Sequence, residues 1–176
     1  MKVKNIIDED FINYRKPSMF ILTTKCSMKC NINGNIVCQN YDMLKLPDIE
    51  IEKEALCERY LNNPITSAIV FGGLEPFDTE LDVIPFIDCL RNRYNCDDDI
   101  VIYTGYTESE LESGYRVSNN YSSVAKNLYN DLKKYKNIII KFGRYIPSEE
   151  SHIDDILGVR LSSNNQYAKI ISLKNN

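Results

Sequence analysis

The sequence predicts an α/β protein built on a mainly parallel sheet. Three observations carry that expectation. Short apolar runs alternate along the chain with longer stretches whose apolar residues recur at helical spacing. Several of the apolar runs end in glycine, as strands that turn directly into a loop do. The chain has 176 residues, 43% hydrophobic and 26% charged, which suits one folded domain over residues 1–176.

The elements follow in order. Met19 to Thr23 is apolar and reads as the first strand, delivering the chain to Cys26. Ile49 to Leu61 places Ile51, Ala55, Leu56, Tyr60 and Leu61 at helical spacing, and Asn62-Asn63-Pro64 stops it. Ser67 to Phe71 is a continuous apolar run ended by Gly72-Gly73, the pattern of a buried parallel strand. Asp78 or Thr79 can cap a helix running to about Asn92, with Pro85 in its first turns or kinking it. Asp99 to Tyr103 is the next strand, closed by Thr104-Gly105. Residues 106–123 read as a polar loop with a short helix near Glu108 to Leu111. Val124 to Tyr135 reads as helix, Asn137 to Phe142 as strand, and Tyr167 to Leu173 as the last strand.

A closed eight-unit barrel takes roughly 250 residues. That leaves an open or partial barrel or a doubly wound sheet, and both gather ligands at the carboxyl ends of their strands. Cys26 onward, Gly72-Gly73 and Thr104-Gly105 all fall there.

Composition excludes other classes. Lys and Arg number 21 against 25 Asp and Glu, a net charge of −4, which offers no basic face for nucleic acid. A single histidine leaves little room for a His-based metal centre or a His-centred triad. The N-terminus reaches Asp8-Glu9-Asp10 where a signal peptide would need an apolar core, and no apolar run is long enough to span a bilayer. The expectation is a cytoplasmic protein with neither membrane nor nucleic acid as partner. The acidic runs at Asp8–Asp10, Asp97–Asp99 and Glu149-Glu150 read as solvated surface.

Six cysteines in a reducing compartment point to ligation where they cluster. Cys26, Cys30 and Cys38 fall within thirteen residues, while Cys57, Cys89 and Cys96 are scattered. Cys57 and Cys89 read as small core residues and Cys96 as a surface thiol. Three thiolates can hold three corners of a cubane iron–sulfur cluster and leave one iron open, whereas four close it. A Cys₃ zinc site completed by His152, or plain packing thiols, remain open on the residues alone. Gly72-Gly73 lets backbone approach a ligand closely, although a glycine pair after a strand is by itself only a turn signal.

Together these segments resemble the radical S-adenosylmethionine (SAM) superfamily, specifically the small activating proteins of anaerobic ribonucleotide reductases, over nearly the whole chain. Cys26-Ser27-Met28-Lys29-Cys30 is similar to the first half of the C-x3-C-x2-C motif. Gly72-Gly73-Leu74-Glu75-Pro76 resembles the Gly-Gly-Glu-Pro motif, and Tyr103 to Thr107 matches a YTGYT stretch. Arg160 to Gln166 is similar to the family's RGSSNQ ending. There are departures. Seven residues separate Cys30 from Cys38 where the family has two, a tight turn being expected around Gly34. Leu74 is inserted before Glu75. Val37 stands where an aromatic is usual, and Phe142-Gly143-Arg144 replaces an Asp-Gly pair.

The resemblance implies a partial, open βα barrel of about five to six mainly parallel strands. It implies a [4Fe-4S] cluster on Cys26, Cys30 and Cys38, with SAM chelating the fourth iron. Gly72 and Gly73 would meet the methionyl amino group with Glu75 nearby, Val37, Cys38 and Gln39 would flank the adenine, and Thr104 would lie near the ribose. Reduction by flavodoxin or ferredoxin would cleave SAM to methionine and a 5′-deoxyadenosyl radical. That radical would generate a glycyl radical on a partner, the large subunit of an anaerobic ribonucleotide reductase. The alternatives are a radical SAM enzyme for a small molecule or peptide, and a non-catalytic iron–sulfur or zinc module.

Overall fold

The computed structural model of the chain describes residues 1–31, 35–114 and 121–172. Its strands are β1 (Lys2–Val3), β2 (Asn5–Asp10), β3 (Ser18–Leu22), β4 (Ile49–Glu50), β5 (Ala68–Gly72), β6 (Asp99–Tyr103), β7 (Ile138–Phe142), β8 (His152–Ile153), β9 (Arg160–Leu161) and β10 (Tyr167–Ile170). The helices are α1 (Lys53–Leu61), α2 (Glu80–Asp88), α3 (Glu108–Ser113) and α4 (Tyr121–Leu132).

Six strands form the central sheet in the order β10-β7-β6-β5-β3-β2. β3, β5, β6 and β7 run parallel, and β2 and β10 close the two edges antiparallel. The sheet is not closed into a ring. β1 pairs with β4, and β8 with β9, as two small ribbons.

The parallel strands are apolar at nearly every position because both of their faces are covered. Alternate residues divide between two cores. Met19, Ile21, Ile69, Phe71, Ile100, Ile102, Ile138, Ile140 and Phe142 face α1, α2 and α4 in the larger one. Phe20, Leu22, Val70, Val101 and Ile139 face the other way, onto Tyr14, Leu157, Leu161 and Ala168. Among the described residues, one face therefore carries α1, α2 and α4, and the opposite face carries loop and ribbon segments with one short 3-10 turn at Tyr41–Lys45. Each fully buried aliphatic side chain contributes about 1.5–3 kcal/mol relative to exposure.

Several expectations need correction. Residues 5–10 form edge strand β2 rather than a wholly solvated acidic run. Asp10 is buried and accepts from the Asn13 amide at 3.0 Å, while Asp8 takes the Arg59 guanidinium at 2.6 Å. The acidic run at 97–99 is likewise tied down, Asp98 accepting from the Tyr60 hydroxyl and Asp99 from that of Tyr14. The helix expected from Ile49 starts at Lys53, because Ile49–Glu50 pairs with the N-terminus. Pro85 lies inside α2, and that helix passes at Cys89–Arg93 into a wider turn in which the Tyr94 amide reaches back five residues to the Cys89 carbonyl. Cys96 is half-buried beside the larger core rather than a surface thiol, whereas Cys57 and Cys89 are core residues as expected. The turn expected around Gly34, part of the 106–123 loop and the end of the last strand at Leu173 lie outside the described residues. No helix among the described residues is long and apolar enough to cross a membrane.

Candidate functional site

A cavity of about 470 Å³ opens at the carboxyl ends of β3, β5, β6 and β7, on the face opposite α1, α2 and α4. Its walls include Cys26, Cys30, Cys38, Gln39, Gly73, Glu75 and Thr104, seven of the expected site residues. Gly72 ends β5 just behind them, and Val37 is not among the walls. His152 sits on the β8–β9 ribbon, also outside the walls.

The cysteine segment leaves β3 and is tied at several points to the loop that leaves β5. The Thr23 amide donates to the Gly72 carbonyl at 3.1 Å, and the Glu75 amide to the Lys25 carbonyl at 2.8 Å. Asp78 accepts from the Ser27 amide at 2.6 Å and from the Tyr106 hydroxyl at 2.9 Å. The Lys29 ammonium lies 3.9 Å from the centre of the Tyr106 ring. The Asn40 side-chain amide donates to the Gly73 carbonyl at 2.7 Å. The first two cysteines thus stand on a loop held against its neighbour by the bonds at Thr23, Lys25 and Ser27.

The inserted Leu74 is absorbed in a very tight turn. Gly73 adopts φ +77°, and the Leu74 amide closes on the Gly72 carbonyl at 3.0 Å. A three-residue turn with that φ is rare and strained for any residue with a side chain, so glycine belongs there. Glu75 consequently still reaches the cavity. Its carboxylate accepts from the Thr104 hydroxyl at 2.7 Å, the Gly105 amide at 2.8 Å and the Phe77 amide at 3.1 Å. Burial pushes its carboxyl up to about 7, with the Asp78 carboxylate adding to the rise and those three donors opposing it.

The thiols respond to the same surroundings. Burial pushes Cys26 up to about 12, and the Glu75 and Asp78 carboxylates add to it. Burial and the neighbouring Cys38 also raise Cys30, against the pull of Arg144 and Lys141. The protein alone therefore disfavours thiolates here, and a bound cationic metal reverses that preference by ligating the deprotonated sulfur. Among the described residues no three His, Cys, Asp or Glu side chains converge closely enough to hold a single metal ion. A cubane spaces its thiolates more widely than one tetrahedral ion does, and all three thiols open on this one cavity.

Sequence reasoning missed two cations. Lys141, on β7, and Arg144, just after it, both line the cavity. Arg144 pairs with Glu110 at 2.7 Å, and Glu110 also completes the capping box of α3 by accepting from the Thr107 amide. The signal for Lys141 was present: a lysine inside an otherwise apolar, fully buried strand is the informative kind of exception. Cys57, Cys89 and Cys96, scattered in sequence, come together at the helix-covered face, away from this cavity.

The fold and the cavity define an open α/β protein with a thiol-lined pocket at its strand ends. A family model described as a 4Fe-4S single cluster domain matches residues 16–167. The chain belongs to that family, which is associated with radical SAM proteins, and membership supports a [4Fe-4S] cofactor. No curated protein and no solved structure matches the chain.

Proposed function

We propose that this chain is a radical SAM protein, its open sheet a partial barrel of that type, and that it generates a glycyl radical on a larger partner. The observation that carries the reading is one cavity bringing Cys26, Cys30 and Cys38 together with Gly73, Glu75 and Thr104. When bound on the three cysteines, a [4Fe-4S] cluster supplies one low-potential electron and an open iron for SAM. The chain's residues do the positioning. Glu75, fixed by Thr104, Gly105 and Phe77, keeps a carboxylate beside the thiols for a ligand's amino group. The Gly73 turn brings backbone to the cavity wall. Flavodoxin or ferredoxin is the expected electron donor.

The kind of target is supported by the rim. Ile12 and Ile7 line the cavity and are 77% and 45% exposed, apolar surface suited to a protein that approaches from outside. An anaerobic ribonucleotide reductase large subunit is the partner proposed.

The test is anaerobic reconstitution with iron and sulfide, addition of dithionite and SAM, and measurement of 5′-deoxyadenosine. Wild type is expected to form it, and Cys26→Ala, Cys30→Ala and Cys38→Ala to form none. A four-iron cluster without product would mean a binding module. Colourless protein after reconstitution would end the iron–sulfur reading itself. A glycyl-radical signal on the added partner, absent without SAM, tests the target.

A further inference from the structure

Asp78 puts a buried negative charge directly behind the cysteine segment. It ends the short turn Pro76–Asp78 that follows Glu75, and it is only 8% exposed. One carboxylate oxygen takes the Ser27 amide at 2.6 Å, and the other takes the Tyr106 hydroxyl at 2.9 Å. Both donors are neutral. Among the described residues Asp78 makes no ion pair, and the Lys29 ammonium lies 3.9 Å from the centre of the Tyr106 ring instead. The field of a buried carboxylate held only by neutral donors is weakly screened.

The two amides that follow Cys26 go to different acceptors. That of Met28 donates to the Cys26 sulfur at 3.3 Å, whereas that of Ser27 is taken by Asp78. Met28 adopts a left-handed φ of +54°, which a residue with a side chain keeps only where its surroundings impose it. The bond from Ser27 to Asp78, one residue away, supplies that constraint. The reduction potential of an iron–sulfur cluster depends on nearby charge and on hydrogen bonds to its sulfurs. A fixed negative charge opposes the added electron.

Resting on the [4Fe-4S] reading of Cys26, Cys30 and Cys38 but not on the chemistry proposed for SAM, we infer that Asp78 is a positioning residue whose charge, fixed one peptide from Cys26, holds the cluster's reduction potential low. The competing role is mechanical, with Asp78 serving only to fasten the loop.

A mediated redox titration, followed by electron paramagnetic resonance, separates the two. Wild type, Asp78→Asn and Tyr106→Phe are reconstituted anaerobically with iron and sulfide and titrated without SAM. Iron and sulfide are counted in every sample, and circular dichroism checks the fold. Asparagine keeps an oxygen for the Ser27 amide and loses the charge, so the midpoint should move up with iron content unchanged. Phenylalanine keeps the Asp78 charge and a ring for Lys29 but removes a donor that offsets that charge, so the midpoint should move down. A midpoint in Asp78→Asn at or below that of wild type overturns the inference. A folded Asp78→Asn protein that loses iron overturns it too, because fastening would then be the role. Should Asp78→Asn not fold, Tyr106→Phe decides: a lower midpoint upholds the inference, and an unchanged or higher one overturns it. Wild type that forms no four-iron cluster overturns the iron–sulfur reading, and this inference with it.

Discussion

Replacing Gly73 by alanine tests the turn on which the whole cavity wall depends. A Cβ at that position would stand 1.6 Å from Leu22 Cδ1 and 2.9 Å from its Cγ, with Met43 Sδ at 3.3 Å. Leu22 is buried at the end of β3, so it can yield only by leaving its rotamer or pushing the cysteine segment aside. The left-handed φ of +77° costs a further about 1–2 kcal/mol for a residue with a side chain. Adding about 1–3 kcal/mol for overpacking gives a loss of about 2–5 kcal/mol. For a chain of this size that is a fall in Tm of roughly 4–20 °C. Thermal unfolding of the metal-free protein measures it without any dependence on cluster loading. Gly105→Ala is the control: its Cβ would meet Arg144, Glu75 and Cys30 at 3.4, 3.5 and 3.7 Å, ordinary contact distances. It should leave stability within about 1 kcal/mol of wild type, as changes without a clash or a strained backbone do. A Gly73→Ala protein melting within about 1 °C of wild type, or a Gly105→Ala protein falling as far as Gly73→Ala, would refute the reasoning.

Other expectations follow from the same site. In metal-free protein the Glu75 carboxyl titrates near 7 when folded against an ordinary 4.5, so the folded state holds the extra proton between those values. The associated stability, about 3 kcal/mol, is present below pH 4.5 and is lost as pH rises through 7; Glu75→Gln should flatten that slope in urea titrations across the window. Asp78→Asn removes the charge that raises Glu75 and weakens the bonds to Ser27 and Tyr106. It should lower the Glu75 pKa, read by carbon-13 NMR of the carboxyl, and cost about 1–3 kcal/mol in urea unfolding. Thr107→Ala breaks the capping box of α3, and it should cost about 1 kcal/mol and speed amide exchange in residues 108–113 about fivefold.

How far the sequence could be read depended on whether the relevant physics was local. The four parallel strands were legible because burial on both faces leaves uninterrupted apolar runs, as in Ile138-Ile139-Ile140. β2 was not, because its exposed face carries Asn5, Ile7 and Glu9 in a run that looks merely acidic, and only pairing with β3 makes it a strand. The start of α1 was misplaced for the same reason, since Ile49–Glu50 is extended only because the N-terminus lies beside it.

The sequence by itself determined the alternation of strands and helices, the three clustered thiols and the glycine pair that ends β5, because each is written in neighbouring residues. Tertiary structure alone decided the rest. It absorbed Leu74 in the Gly73 turn so that Glu75 still reaches the cavity, it joined Asp78 to Ser27 across 51 positions, and it set Lys141 in the cavity wall. Those outcomes depend on which strand ends lie side by side, and strand order is set by packing between segments distant in sequence.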